Sequence, residues 1–466
     1  MNTIPVVGID VSKEFSDFCI LSPENDVFSR GKIYHHPASM EKALKLFASA
    51  EEAFGMKPVC IMESTAYYHK ILLRFLNARG FKVILINPMQ SKAIKDFNIR
   101  NVKTDKVDAY KLALLYRMKI IRPSIVPDAL IQQLRDLCRN HYELSDQLVV
   151  AEARIRSGVE QIFPGYAKIF SRISGQASIA VLSAYPTPLE VLRADPEDIT
   201  TTIMHATRRG QTWSENKASM IVAAAENASK ITDTSKAYGA IIRSIAAVVQ
   251  TLKQSIRETD LMIEQLVEEN ESLRENRMLL TTIPGIGDLT AAVLIAETGD
   301  FDLFKNAKAL AAFYGVDPVV KQSGTTCCRS TRLSKRGSPL VRKMLRMIAH
   351  NNIHRCAGGK MINPVLAEYY QQKCTCKSAK TAECAVMRKL VGIIFAIMRD
   401  RKPFELRTPE EHRNIMKQNC ISAVALSAEY HHFHNVADLL KRESQKVFLS
   451  CIGVFSSQTE ISFKNT

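Results

Sequence analysis

Between Pro318 and Ala367 the chain has no Asp and no Glu, yet the same stretch holds ten bases: Lys321, Arg329, Arg332, Lys335, Arg336, Arg342, Lys343, Arg346, Arg355 and Lys360. A solvated helical face normally mixes both signs, so this bias reads as an electrostatic footprint for phosphates. The whole chain of 466 residues carries a formal charge of +16, which favours a polyanionic partner, with nucleic acid first and an acidic membrane surface second. Long apolar runs are also lacking. The longest in the C-terminal half, Leu390 to Met398, is far too short to span a bilayer. Met1 to Pro5 has neither a basic n-region nor an apolar core, so no membrane partner and a cytoplasmic location are expected. The eleven Cys form no disulfide-like framework, and reduced thiols are expected. Cys374, Cys376 and Cys384 follow His350 and His354, but C-x-C is not zinc-ribbon spacing, so incidental or structural thiols are the expectation. There is no internal repeat and no low-complexity tract. The single Trp, Trp213, follows Arg208-Arg209-Gly210 and is expected to pack rather than stack on a base. A hydrophobic content of 46% over this length allows two to four domains with sizeable cores.

The N-terminal part alternates strand and helix patterns. Residues 6–11 read as a buried strand interrupted by Asp10, and a lone buried carboxylate is costly. Strands follow at about 15–21 and 27–33, a helix over Pro37 to Phe54, and a strand at 58–62 that ends in Glu63. A helix over Tyr67 to Arg79 stops at Gly80, and a fifth strand covers Phe81 to Ile86. A further helix opens at Val102 to Ala113, with Thr104 as N-cap and Asp105 and Asp108 three residues apart on one face. Acids in a first turn also suit the helix dipole, so this pair alone is weak evidence. The pattern is an α/β layer sandwich with a mixed sheet. In such a sheet the first and fourth strands can be neighbours, so all four acids can converge. Gathered carboxylates repel unless hard cations offset them, which is the logic of a two-metal phosphoryl-transfer site.

These residues resemble a known family. Gly8-Ile9-Asp10-Val11-Ser12-Lys13, Met62-Glu63-Ser64-Thr65 and Lys103-Thr104-Asp105-Lys106-Val107-Asp108-Ala109 are similar to the DEDD signature of the insertion-sequence-110 family of transposases. The resemblance implies a RuvC-like ribonuclease-H fold for the N-terminal domain, with Asp10, Glu63, Asp105 and Asp108 as Mg²⁺ ligands.

Residues 128–163 and about 236–278 read as long helices. In the second, Ile242, Ile245, Val249, Leu252, Ile256, Thr259, Ile263, Leu266, Asn270 and Leu273 form a heptad seam, with Asn270 able to set register. The first has a weaker seam through Leu134, Leu137, His141, Leu144, Leu148 and Ile155, where His141 is expected to pack rather than bind a ligand. Dimerisation and an intrachain antiparallel hairpin both fit, with dimerisation favoured. Residues 164–235 read as mostly helical, with breaks at Pro164-Gly165 and Pro186 to Pro188. Pro284-Gly285-Ile286-Gly287 looks like the turn of a helix-hairpin-helix, whose Gly285 and Gly287 let backbone N–H groups approach a phosphate.

Within the acid-free stretch lie Gln322-Ser323-Gly324, then Ser334-Lys335-Arg336-Gly337, then a basic helix from Leu340 to Met347. From the residues alone, Ser323, Ser330, Ser334 and Ser338 are equal candidates for a nucleophile. The family's C-terminal domain carries a similar Ser-Gly before a Ser-Lys-Arg-Gly-like turn, and that resemblance implies Ser323. Arg329, Arg332, Lys335, Arg336, Arg342 and Lys343 are the expected nucleic-acid contacts.

The fold class is therefore α/β plus α. A RuvC-like DEDD domain spans 1–125 and a helical coiled-coil region 126–278. A mostly helical transposase domain with Ser323 and a helix-hairpin-helix-like element spans 279–402. The tail 403–466 has no assigned role, and its Tyr430 to His434 tract is expected to hold loose surface histidines. The expected function is a transposase of a bacterial insertion sequence, cutting and rejoining donor and target DNA with Mg²⁺ and a serine nucleophile. Transesterification conserves phosphodiester energy, so no ATP is needed. The Pro318 to Ala367 stretch offers Ser323 Lys and Arg but no carboxylate, so its activation must come from elsewhere, and the acidic cluster is the candidate. The family resemblance further implies guidance by a structured bridge RNA, with base pairing supplying sequence choice. A homo-oligomer, dimer or tetramer, and a nucleoid-associated cytoplasmic location are expected. The rival is a RuvC-like metal-dependent structure-specific DNA nuclease using water. An actin-like sugar kinase or ATPase lacks its glycine-rich phosphate loops here. A decayed, non-enzymatic binding protein is disfavoured because all four acids and the serine are present.

Overall fold

The computed structural model describes residues 4–64, 68–86, 105–118, 128–232, 236–323, 326–415 and 417–418. The chain divides into two compact units, Met1–Asp128 and Ala129–Thr466.

The first unit is built on five strands, β1 (Val6–Val11), β2 (Phe15–Leu21), β3 (Val27–Tyr34), β4 (Val59–Glu63) and β5 (Val83–Ile86), ordered β3-β2-β1-β4-β5. The first three meander antiparallel; β4 is parallel to β1, and β5 to β4. Both faces of β1 are covered, which is why its sequence is an almost continuous apolar run. One face buries Val7, Ile9 and Val11 with α1 (Pro37–Phe54) and α2 (His69–Asn77). The other buries Val6 with Ala109, Leu112 and Ala113 of α3 (Asp105–Arg117). The side chain of His36 caps α1 by accepting from the Ser39 N–H at 3.3 Å. Helix α2 stops at Asn77, two residues short of the sequence expectation, and Gly80 turns the chain out with φ +72°. The expected cap Thr104 lies outside the described residues.

Two long helices run through the second unit, α4 (Ala129–Ile162) and, after several short ones, α9 (Lys236–Glu268). They pack antiparallel. Asn140 Nδ2 donates to Thr259 Oγ1 at 3.2 Å, while further along Gly158 faces Ile242. The heptad seam of α9 buries Ile242, Ile245, Val249, Thr259 and Ile263. His141 of α4 is packed as expected, with Nδ1 2.7 Å from Asp260 Oδ1. The seam is therefore occupied within one chain, and it supplies no argument for a dimer.

The expected continuous helix to residue 278 is corrected. Helix α9 ends at Glu268, and Asn270 is the N-cap residue of α10 (Glu271–Thr281). The Asn270 amide donates to the Leu266 carbonyl at 2.7 Å. It satisfies a helix-end acceptor instead of sitting in a seam, because Asn side chains compete with the helical backbone.

The short helices α5 (Gln176–Ala184), α6 (Pro188–Arg193), α7 (Pro196–Ala206) and α8 (Gln211–Ser229) share a second core with α4 and α9. Tyr166 is fully buried there and donates to the Ser178 carbonyl at 2.9 Å. Trp213 packs partly buried on this core, as expected.

Beyond α10, a third core joins α11 (Asp288–Thr298), α12 (Ala307–Tyr314), α13 (Pro339–Ile353), α14 (Pro364–Cys374) and α15 (Ala379–Asp400). Between α12 and α13 stands a hairpin of β6 (Pro318–Ser323) and β7 (Thr326–Leu333). The expectation of turns leading into a basic helix missed it. Val319, Val320, Thr326, Cys327, Cys328 and Thr331 favour a strand pair, but Lys and Arg interrupt the apolar pattern. Among the described residues no helix is long and apolar enough to cross a membrane. The Tyr430 to His434 tract lies outside them.

Candidate functional site

Asp10 is the penultimate residue of β1, and Glu63 is the last residue of its parallel neighbour β4. Ile9 pairs with Met62, so the next residue on each strand places Asp10 beside Glu63. Residues of the same parity, Val6 on β1 and Val59 and Ile61 on β4, pack beneath α3. Both acids therefore face α3, and both are half-buried.

Helix α3 brings the third acid. A Cβ on Gly8 would lie 2.0 Å from the Ala109 carbonyl oxygen and 2.7 Å from the Ala113 nitrogen. Only glycine lets the helix backbone sit this close. Arg117 Nη2 donates to the Ser22 carbonyl at 2.7 Å, at the end of the sheet where Leu21 pairs with Val6. So α3 runs antiparallel to β1, and its N-terminal turn lies at the Asp10 end. Asp108 is there, 6% exposed. Asp105 begins the same helix, but its side chain lies outside the described residues.

Two neighbours escaped the sequence reading. Asp17 on β2 is the register partner of Asp10, shares its face and is 2% exposed. The signal is present in the sequence, because an acid within Phe-Ser-Asp-Phe-Cys-Ile-Leu is as anomalous as Asp10 in its own strand. Lys111 places Nζ 3.9 Å from Asp108 Oδ1. Its signal is its place one helical turn after an acid.

The donor set is carboxylate oxygen alone, which fits a hard divalent ion such as Mg²⁺ and not a soft one. No group of three or more His, Cys, Asp or Glu that could hold a metal ion is closed among the described residues.

In the second unit, Ser323 is the last residue of β6 and pairs with Thr326 across the hairpin tip. The side chains of Ser323, Lys321, Arg329 and Ser330 lie outside the described residues. At the hairpin's base the Ser334–Gly337 turn is tightly fixed. The Ser334 N–H donates to the Asp317 carbonyl at 2.9 Å, and its hydroxyl donates to the Asp317 carboxylate. The Lys335 N–H donates to the Gly315 carbonyl at 3.1 Å, and Lys335 is held at φ +54°, an unfavourable conformation for a long side chain. A Cβ on Gly337 would meet the Phe313 carbonyl at 2.0 Å. The turn thus presents Lys335 and Arg336 exposed on a rigid base.

Several expected phosphate contacts prove to be engaged. Arg342 Nη1 donates to the Gly337 carbonyl at 2.6 Å and to the Tyr314 carbonyl at 3.4 Å, and burial lowers its guanidinium pKa. It holds the turn through Nη1. Lys343 pairs with Asp146 at 3.0 Å, and Arg346 with Glu383 at 3.5 Å. Arg355 Nη1 donates to the Gly359 carbonyl at 2.7 Å. The run lacks acids in sequence, but Asp146 and Glu383 approach it in space. Arg332 is exposed on β7 and makes an interaction of its own.

Pro284 to Gly287 joins α10 to α11. Gly285 adopts φ +83°, and Gly287 is the N-cap residue of α11, where an added Cβ would meet open space. Asn352 of α13, fully buried, donates to the Pro284 carbonyl at 2.7 Å. The basic helix and this turn are thereby fixed to each other. Of the thiols considered for zinc, Cys374 and Cys376 are exposed and Cys384 is half-buried.

The DEDD_Tnp_IS110 transposase family matches residues 7–164, and the family described as Transposase IS116/IS110/IS902 matches residues 277–371. The chain is 23% identical over 378 residues to the insertion element IS110 uncharacterized 43.6 kDa protein of Streptomyces coelicolor, covering 80% of this chain and 89% of that one. It is 22% identical over 405 residues to the insertion element IS116 uncharacterized 44.8 kDa protein of Streptomyces clavuligerus, covering 86% of this chain and 96% of that one. The pilin gene-inverting protein of Moraxella bovis is 33% identical over 156 residues, 34% of this chain and 47% of that one. A solved structure, T. thermophilus RuvC in complex with Holliday junction substrate, matches 26% of this chain and 99% of that chain at 14% identity, with a TM-score of 0.20. Two family matches, the first running from the sheet through α4 and the second covering the hairpin and basic helix, together with relatives that span most of the chain, give one conclusion: this protein belongs to the IS110 family of transposases.

Proposed function

We propose that this transposase cuts and rejoins DNA by Mg²⁺-assisted transesterification, with Ser323 as the nucleophile and a structured bridge RNA choosing donor and target. The observation that carries the metal part is the shared face of Asp10, Glu63 and Asp108, set by the Ile9–Met62 register and by the contact of Gly8 with α3. The strand order β3-β2-β1-β4-β5, three antiparallel and two parallel, supports the RuvC-like form of the ribonuclease-H fold for 1–125. Regions 126–278, 279–402 and 403–466 are then the helical middle, the Ser323-bearing transposase domain and a tail.

Asp10, Glu63, Asp105 and Asp108 would hold Mg²⁺, which supplies Lewis-acid stabilisation of charge on the phosphate. The Ser323 hydroxyl attacks phosphorus and displaces the 3′ or 5′ oxygen of the broken strand, and the proton lost by the serine ends on that leaving oxygen as a strand-end hydroxyl. The resulting ester keeps the bond energy until another strand end displaces the serine. Lys335, Arg336, Arg332 and Arg329, with the backbone N–H groups after Gly285 and Gly287, would grip phosphates and fix the strand. The protein is expected to act as a dimer or tetramer in the bacterial cytoplasm, at the nucleoid.

The competing reading is a metal-dependent DNA nuclease that uses water. Incubating the protein and the RNA that copurifies with it with donor DNA, target DNA and Mg²⁺ separates the two: joined or protein-linked strands support recombination, and free ends alone support hydrolysis. Sequencing RNA that copurifies from the host tests guidance; a single structured species is expected.

A further inference from the structure

We propose that Lys111 is a resident counter-ion of the acidic site and sets its affinity for divalent cations by competing with them for Asp108. The proposal deepens the metal reading above and rests on it.

The pair is unlike a solvated helix-surface pair at i, i+3. The Lys111 side chain is 20% exposed and that of Asp108 is 8% exposed, so water screens their interaction poorly. The contact is also loose. At 3.9 Å it is Coulombic attraction without a hydrogen bond, so replacing it sacrifices no hydrogen bond. Asp108, Leu112 and Leu115 form the sheet-facing side of α3, and Lys111 borders that side. Its ammonium therefore lies at the margin of the face that also carries Asp10, Asp17 and Glu63.

Crowded carboxylates raise the energy of the empty site, and a nearby ammonium lowers it. The same ammonium repels an arriving dication. Lysine suits this role because its compact charge rides on a flexible stem that can swing away. Removing the charge should therefore strengthen cation binding, whereas removing a ligand should weaken it. A purely structural lysine would give no such opposite signs.

The test uses full-length protein and Mn²⁺ alone, titrated by the electron paramagnetic resonance signal of the free ion. Lys111→Met is expected to bind Mn²⁺ roughly tenfold more tightly than wild type, and Lys111→Arg within about twofold of it. Lys111→Gln carries the same expectation as Lys111→Met and serves if the methionine variant does not fold. Wild-type Mn²⁺ binding with equal or weaker binding by the uncharged variant overturns the Lys111 proposal alone. If the wild type binds no Mn²⁺, or Asp10→Ala and Asp108→Ala bind it as well as the wild type, the metal reading fails and the proposal with it.

Discussion

Gly8 and Ala109 touch through their backbones: a methyl group on Gly8 would fall 2.0 Å from the Ala109 carbonyl oxygen. The contact sets how close α3 lies to the central strand, and so where Asp108 stands relative to Asp10. Gly8→Ala should push the helix outward and destabilise the first unit by about 1–3 kcal/mol, read by urea unfolding. Mn²⁺ affinity should fall in the same variant. Unchanged stability would mean that the close approach places nothing.

Asn352 links the basic helix to the Pro284–Gly287 turn through the Pro284 carbonyl. Asn352→Ala leaves that carbonyl short of a donor and opens a small void, at a cost of about 1–3 kcal/mol. DNA binding should weaken although no cation is removed. Wild-type affinity in a variant shown to be destabilised would detach the turn from DNA.

The exposed turn and the paired helix cations make different predictions. Replacing Lys335 and Arg336 by Ala should lower the slope of log affinity against log salt by about two, one for each phosphate no longer neutralised. Replacing Lys343 and Arg346, which pair with Asp146 and Glu383, should change it by less than about one. Equal effects from the two pairs would show that the ion pairs open in the complex.

Ile263 lies in the seam between α4 and α9 of one chain and is 4% exposed. Ile263→Asp should therefore cost at least about 3 kcal/mol by burying a charge among apolar groups, and the protein should unfold at lower urea. A well-folded variant of reduced mass in light scattering would instead reveal a seam between subunits.

Much of the first unit is legible in the sequence because its acids interrupt apolar strands, where nothing but function or a partner offsets them. Asp10 and Glu63 stand out for that reason. Asp17 is equally anomalous but falls outside the family resemblance, which is why sequence reasoning passes over it. The C-terminal part is harder to read. The β6–β7 hairpin is short and studded with bases, which hides its alternation. Asn270 matches a heptad position by spacing, yet its amide ends a helix. The acid-free run from Pro318 to Ala367 looks uniformly free to bind phosphates, because pairing with Asp146 and Glu383 is a fact of three dimensions. No local pattern singles out Ser323, since reactivity depends on groups distant in sequence.

The most direct measurement of the central claim is to trap the reaction with the copurifying RNA, DNA and Mg²⁺, digest the protein and locate the nucleotide-bearing peptide by mass spectrometry. The mechanism predicts a phosphodiester to Ser323, absent in Ser323→Ala and in Asp10→Ala, with DNA binding retained in both. A linkage at Ser330, Ser334 or Ser338, or free strand ends with no adduct at all, would contradict it.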